Sequence, residues 1–170
     1  MSFLAAMLLL NLDTFDAFKV LCNMLNRKCH RDFFQMDLKK IEGYKAAFKS
    51  LFAEFLPALS SHLESLAIEP DLFLLEWFLT LFARSLPLEV ASRVWDFYFL
   101  HGEVFLFKTA LGILKSMEKK LLGQSFEEVA KDLTHLPLFE EKEFFKTINL
   151  IQLTEKKFDS TIMKFVIDSI

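Results

Sequence analysis

The chain is poor in cysteine, glycine and proline, and it carries no excess of positive charge. Two cysteines in 170 residues, Cys22 and Cys29, cannot build the disulfide framework of a small secreted domain, so a reducing compartment, the cytosol, is the simpler reading. Four glycines and four prolines leave few turns. That scarcity argues against a many-stranded sandwich or barrel and suits helices joined by short connections. Gly43, Gly102, Gly112 and Gly123 stand singly, which excludes a glycine-rich phosphate loop. A net charge of -3 supplies no field for neutralising a phosphate backbone, so nucleic acid is not an expected partner. The apolar run from Met1 to Leu10 has no basic leader and meets Asn11 and Asp13 before reaching spanning length. It reads as a core helix, neither a signal peptide nor a transmembrane segment.

What is present is a core. Hydrophobic residues make up 53% and charged residues 25% of the chain, the balance of one globular domain, and 21 phenylalanines predict an aromatic interior. Asp13, with Asp16 three residues on, starts a helix running to about Asn26, followed by a loop at Arg27 and Lys28. From about Asp37, the spacing of Ile41, Tyr44, Phe48, Leu51, Phe52 and Phe55 predicts a long amphipathic helix, and Pro57 opens the next. Residues 70–84 are apolar except for Asp71, Glu76, Thr80 and Arg84, which predicts a central, surrounded helix. Ser85-Leu86-Pro87 ends it. A helix to about Leu100 follows, with Gly102 at its cap, and then one from Glu103 to about Leu122 ended by Gly123. Ser125-Phe126-Glu127-Glu128 is a capping box, and Pro137 closes that short helix. Two terminal helices, about Glu140 to Leu153 and Glu155 to Ser169, complete an all-α, single orthogonal array of roughly eight or nine helices. No internal repeat or domain linker interrupts it.

Catalytic and metal chemistry find no foothold in the residue spacing. Cys22, Cys29 and His30 lack the paired spacing of a structural zinc site, and no cofactor is implied. His30, His62, His101 and His135 are scattered, and no Gly-x-Ser-x-Gly elbow accompanies them. The pairs Glu127-Glu128 and Glu140-Glu141 fall in first helical turns, where negative charge favours the helix dipole. Arg27, Lys28, His30, Arg31, Lys39 and Lys40 read as a solvated basic segment, weak for membrane attraction. Arg93 and Asp96 are the most informative charges. They suit surface pairing, with Glu89 as another partner for Arg93, a partly buried pair locking their helix to a neighbour, or a partner-binding face; the lock is preferred because breaking a buried pair is costly.

The order Trp77-Phe78-Leu79-Thr80-Leu81-Phe82, Leu86-Pro87, Arg93-Val94-Trp95-Asp96, Gly102 and Leu106-Phe107 resembles the C-terminal half of the TBC domain, the helical module of Rab GTPase-activating proteins. Met1 to Ala6 with Leu8-Leu9-Leu10, and Asp16-Ala17-Phe18 leading into Leu21 to Leu25, extend the resemblance. It runs clearest over residues 1–136, with 137–170 as terminal helices, and makes the chain a partial TBC domain. Trp77, Phe82, Pro87, Arg93, Trp95, Asp96 and Gly102 are its motif positions, expected in packing or in partner binding.

The resemblance implies a Rab-family small GTPase as partner and peripheral endomembrane association through partners. The wording Leu86-Pro87-Leu88-Glu89 and Gly102 to Phe107 is most similar to the branch associated with recycling endosomes and autophagy. Catalysis in the family uses an arginine in Ile-x-x-Asp-x-x-Arg and a glutamine in Tyr-x-Gln. Neither motif occurs in this chain, and the resemblance implies that both lie upstream of Met1, so the chain alone is expected to be inactive and to hold no catalytic residue. A helical adaptor that binds Rab or membrane-traffic partners without stimulating hydrolysis is the alternative. Without upstream helices, Leu4, Met7 and Leu8 are expected to form an exposed apolar patch that drives association.

Overall fold

A computed structural model describes residues 1–167. Among them the chain forms eleven α-helices, one 3₁₀ turn and one π-helical turn, with no strand. The all-α expectation holds, with more helices than expected.

Helix α1 spans Ser2–Leu9 and α2 spans Thr14–Leu25, the second capped by the Asp13 carboxylate, which accepts from the Asp16 N–H at 2.9 Å. The segment expected to be a loop after α2 holds another helix, α3, at Lys28–Phe34. Its cap has no local signal. The Cys29 N–H near its start donates to Glu103 Oε1 at 2.8 Å, across 74 residues of sequence. Helix α4, Leu38–Phe55, starts at Asp37, and Pro57 opens α5, Pro57–Ser65, as its spacing predicts.

Residues 70–84 depart from expectation. A 3₁₀ turn at Pro70–Leu72 leads into the short helix α6, Leu74–Thr80, which is ended by two left-handed residues, Leu81 (φ 47°) and Phe82 (φ 61°). Both are fully buried, so packing holds a backbone that their side chains disfavour. Helix α7, Leu88–His101, and helix α8, Glu103–Leu121, follow. The most enclosed helix is α8 rather than 70–84: Val104 to Phe107 and Thr109 to Leu114 are all buried, with α4, α6, α7 and α10 packed around it.

Helix α9, Phe126–Thr134, carries the expected capping box, and α10, Glu141–Leu150, is capped by Glu140. Helix α11, Glu155–Ile162, gives way to the π turn Met163–Ile167; the expected end at Ser169 lies outside the described residues. Two glycines permit close approaches. A Cβ on Gly112 would stand 2.5 Å from Ile148 Cγ1, where α10 lies on α8, and one on Gly43 would collide with the Phe165 carbonyl, where the π turn lies on α4.

The apolar patch expected at Leu4, Met7 and Leu8 does not form there, and a different set of apolar residues is exposed instead. Leu4, Met7 and Leu8 are buried, whereas Phe3, Leu9, Leu10, Phe15 and Phe18 are exposed, the last two at 70% and 64%. Residues 3–10 are apolar throughout, so periodicity cannot choose the inward face.

Candidate functional site

Helix α7 positions most of the motif residues, and it splits them between two faces. Inward, Trp95 is buried and its Nε1–H donates to the Leu81 carbonyl at 2.9 Å. The left-handed turn that ends α6 aims that carbonyl at the indole, and the Phe82 N–H closes the turn onto the Trp77 carbonyl at 2.9 Å. Trp77 and Phe82 are buried, with ring centroids 5.8 Å apart. Pro87 starts α7, its carbonyl accepting from the Ala91 N–H at 2.8 Å. Gly102 joins α7 to α8 at φ 74° and ψ -153°, a conformation essentially restricted to glycine.

Outward, Arg93 and Asp96 do not form the partly buried pair expected of them. Arg93 is 57% exposed and its Nε lies 3.8 Å from Glu141 on α10, an exposed pair of small energetic weight. Asp96 is exposed and forms no ion pair or hydrogen bond among the described residues. One helical turn separates the two, but Arg93 is directed toward α10 while Asp96 borders a groove between α1, α2 and α7.

That groove encloses about 380 Å³. Met7, Leu8 and Trp95 are its buried apolar components, and Leu12 and Phe99, each 38% exposed, add apolar walls. Its polar members are Asn11, Ser92 and Asp96. The Asn11 amide donates to the Met7 carbonyl at 3.0 Å, which leaves its carbonyl oxygen for the groove. Among the described residues, no cationic side chain lines it.

A second cluster surrounds α3. His30 is 1% exposed, its Nδ1 is 3.1 Å from the Tyr98 hydroxyl, and its Nε2 is buried without a well-formed hydrogen bond. Burial pushes the ring down to about 4, against a smaller upward pull from the Phe78 backbone. The buried Asp32 carboxylate accepts from Lys40 Nζ at 3.0 Å and from the Tyr44 hydroxyl at 3.4 Å. Burial raises the Glu103 carboxyl, partly opposed by its hydrogen bond from Cys29 N–H, and it raises the Tyr44 and Tyr98 hydroxyls too. The Cys29 thiol is also held up by burial, so it is not prepared as a nucleophile. Among the described residues, no group of three His, Cys, Asp or Glu side chains is placed to hold a metal.

This cluster revises the basic segment. Arg27 lies over the Tyr98 ring at 4.9 Å, His30 is buried, and Lys40 is paired with Asp32 and Asp37. Half of the expected solvated loop is thus structural. Glu103 and Asp32 carry roles that no local pattern announces, because their partners come from other elements.

The Rab-GTPase-TBC domain family model matches residues 1–122, which include α1 to α8 and every motif position above. The chain belongs to the TBC family. It is 45% identical over 157 residues to TBC1 domain family member 14 of Bos taurus, covering 92% of this chain and 23% of that protein. TBC1 domain family member 12 of Xenopus tropicalis is 47% identical over 137 residues, covering 81% of this chain and 20% of that protein. Drainin of Dictyostelium discoideum is 38% identical over 166 residues, covering 96% and 38%. The chain therefore spans well under half the length of these relatives.

In this TBC chain, Trp77, Phe82 and Trp95 are core residues and Gly102 is a backbone joint. Arg93 and Asp96 remain on the surface, and Asp96 borders the α1, α2 and α7 groove. No helix among the described residues is long and apolar enough to cross a membrane.

Proposed function

We propose that this chain forms the GTPase-holding helical part of a Rab GTPase-activating protein, with the catalytic arginine and glutamine supplied from outside these 170 residues. The observation that carries the reading is the family match over residues 1–122. The groove beside Asp96, which takes Trp95 and Asp96 from the motif and is open to solvent, supports a binding role. The partner is a Rab-family GTPase, and the protein works at the periphery of endomembranes, on recycling endosomes or autophagic membranes. Its partial TBC domain comprises residues 1–170, with residues 1–136 as the clearest part.

Acceleration of GTP hydrolysis requires charge stabilisation at the transferring phosphoryl and an oriented water, and an arginine finger in trans contributes roughly 10³ to 10⁵ in rate. The chain has neither finger motif, so it holds a Rab without accelerating hydrolysis. Single-turnover hydrolysis by a panel of GTP-loaded Rab proteins, with this chain in excess, tests the reading. The expected result is binding to at least one Rab with its intrinsic rate unchanged. Stimulation overturns the inactivity, and absence of binding across the panel overturns the partner assignment. The missing finger motifs also favour a second reading, an adaptor without GAP activity. Assay of the full-length gene product separates the two, since an adaptor leaves the hydrolysis rate unchanged there as well.

A further inference from the structure

We infer that the groove between α1, α2 and α7 takes a partner segment in which a large apolar side chain and an arginine or lysine stand about one helical turn apart. This goes beyond the Rab assignment, because the occupant is defined by chemistry and is testable without any GTPase. The apolar requirement comes from Leu12 and Phe99, each 38% exposed, which wall a floor formed by the buried Trp95. Such surfaces gain from covering by another apolar group.

The cationic requirement comes from the polar members. Asp96 is an exposed carboxylate with no ion pair or hydrogen bond among the described residues. Asn11 has committed one N–H to the Met7 carbonyl at 3.0 Å, and its side-chain oxygen offers an acceptor. Nearby cations are engaged elsewhere: Arg93 faces Glu141 at 3.8 Å, and Lys19 is paired with Asp16 at 2.6 Å. The groove therefore presents negative charge and an acceptor without a compensating cation in its lining. An arginine meets both demands, since its aliphatic stem covers apolar surface while its planar donors reach a carboxylate and an amide oxygen. An acidic or purely aliphatic segment would leave Asp96 desolvated and unpaired, which opposes binding.

The test uses fluorescein-labelled, alanine-rich peptides of about 16 residues, long enough for measurable helicity, and follows anisotropy with this chain as receptor. One peptide carries Phe and Arg four residues apart, a second Phe and Glu, a third Ala and Arg. The Phe and Arg peptide is expected to bind tightest, with affinity falling as salt rises. Asp96→Asn should weaken that binding roughly 3- to 10-fold, as for a half-exposed charge-assisted hydrogen bond, and Asp96→Lys should abolish it and favour the Phe and Glu peptide. Circular dichroism melts check folding, which Asp96, on the surface, should not disturb. Equal binding of the first two peptides, unchanged affinity in Asp96→Lys, or no binding by any peptide overturns the proposal. Sedimentation showing the groove occupied by a second copy, with dimers broken by Asp96→Lys, overturns it too. Rab binding retained in Asp96→Lys would leave the Rab assignment standing while the Rab engages another surface.

Discussion

Acid should unfold this protein through His30. The ring is 1% exposed, Nδ1 meets the Tyr98 hydroxyl at 3.1 Å, and Nε2 has no well-formed partner. Protonation would place a charge among Phe34, Tyr98 and the Arg27 guanidinium, which already lies over Tyr98. The folded value is about 4 against an ordinary 6.5. Because the folded value is depressed, the unfolded chain takes up the proton first. Stability is complete above about 6.5 and is lost as pH falls toward about 4. The difference of about 2.5, at about 1.4 kcal/mol for each pH unit, gives about 3 kcal/mol in all, of which about 2 kcal/mol is lost by about pH 5. Glu103 acts in the opposite sense, since its raised carboxyl gains stability from protonation as pH falls. The contribution of His30 is isolated by comparing the wild type with His30→Gln in urea unfolding at about pH 7 and pH 5. The variant should start less stable and lose about 2 kcal/mol less on acidification. Equal losses in both proteins, or an NMR titration placing His30 near 6.5, would refute the reasoning.

Four further outcomes are expected. Trp95→Phe removes the donor to the Leu81 carbonyl, 2.9 Å away and buried, and should cost about 1–3 kcal/mol in urea unfolding; a loss near zero would show that water replaces the bond. Gly112→Ala puts a methyl 2.5 Å from Ile148 Cγ1 and should cost about 1–3 kcal/mol, an added cost that should shrink in an Ile148→Ala background, where that γ carbon is gone. Ala67 is exposed with φ 55°, so Ala67→Gly should raise stability by about 0.5–1 kcal/mol, and a lower melting temperature would contradict this. The exposed face of Phe3, Leu9, Leu10, Phe15 and Phe18 should make the chain self-associate at high concentration, with Phe15→Ser and Phe18→Ser reducing it in sedimentation. A monodisperse wild type would argue against that face as the cause.

Helices with a local start signal were legible from sequence. Asp13, Asp37, Pro57, Pro87, Ser125 and Glu140 each stand at an observed helix start. Helix α3 was not legible, because the carboxylate at its first turn arrives from Glu103 on α8. Residues 70–84 misled for a different reason. Nothing in Leu81 or Phe82 announces a left-handed backbone; tertiary packing holds them there against their own preference. At the candidate site, the order of residues that resembles the TBC domain located the motif but could not assign its faces. Trp95 and Asp96 are adjacent in sequence, and only the placement of α7 against α6 and α1 sends one inward and the other to the groove. The partly buried Arg93 and Asp96 pair failed because a spacing of three permits contact without requiring it, and Glu141 on α10 takes Arg93 instead.

The two faces of α7 are mechanically connected through Trp95. Its ring lines the groove, while its Nε1–H is held by the carbonyl of Leu81, a residue whose left-handed conformation depends on packing around Trp77 and Phe82. Rotating the indole to admit a different occupant would break a buried hydrogen bond and leave a carbonyl unsatisfied, at about 1–3 kcal/mol. The groove is therefore preorganised by the core, and less of any binding energy is lost to ordering its walls. If the groove takes the proposed segment, Trp77 and Phe82, both buried, act on it only through the Leu81 turn: a substitution that relaxes that turn should weaken occupancy of the groove even where the chain stays folded, whereas substitution of Arg93, exposed and directed toward α10, should leave it unchanged.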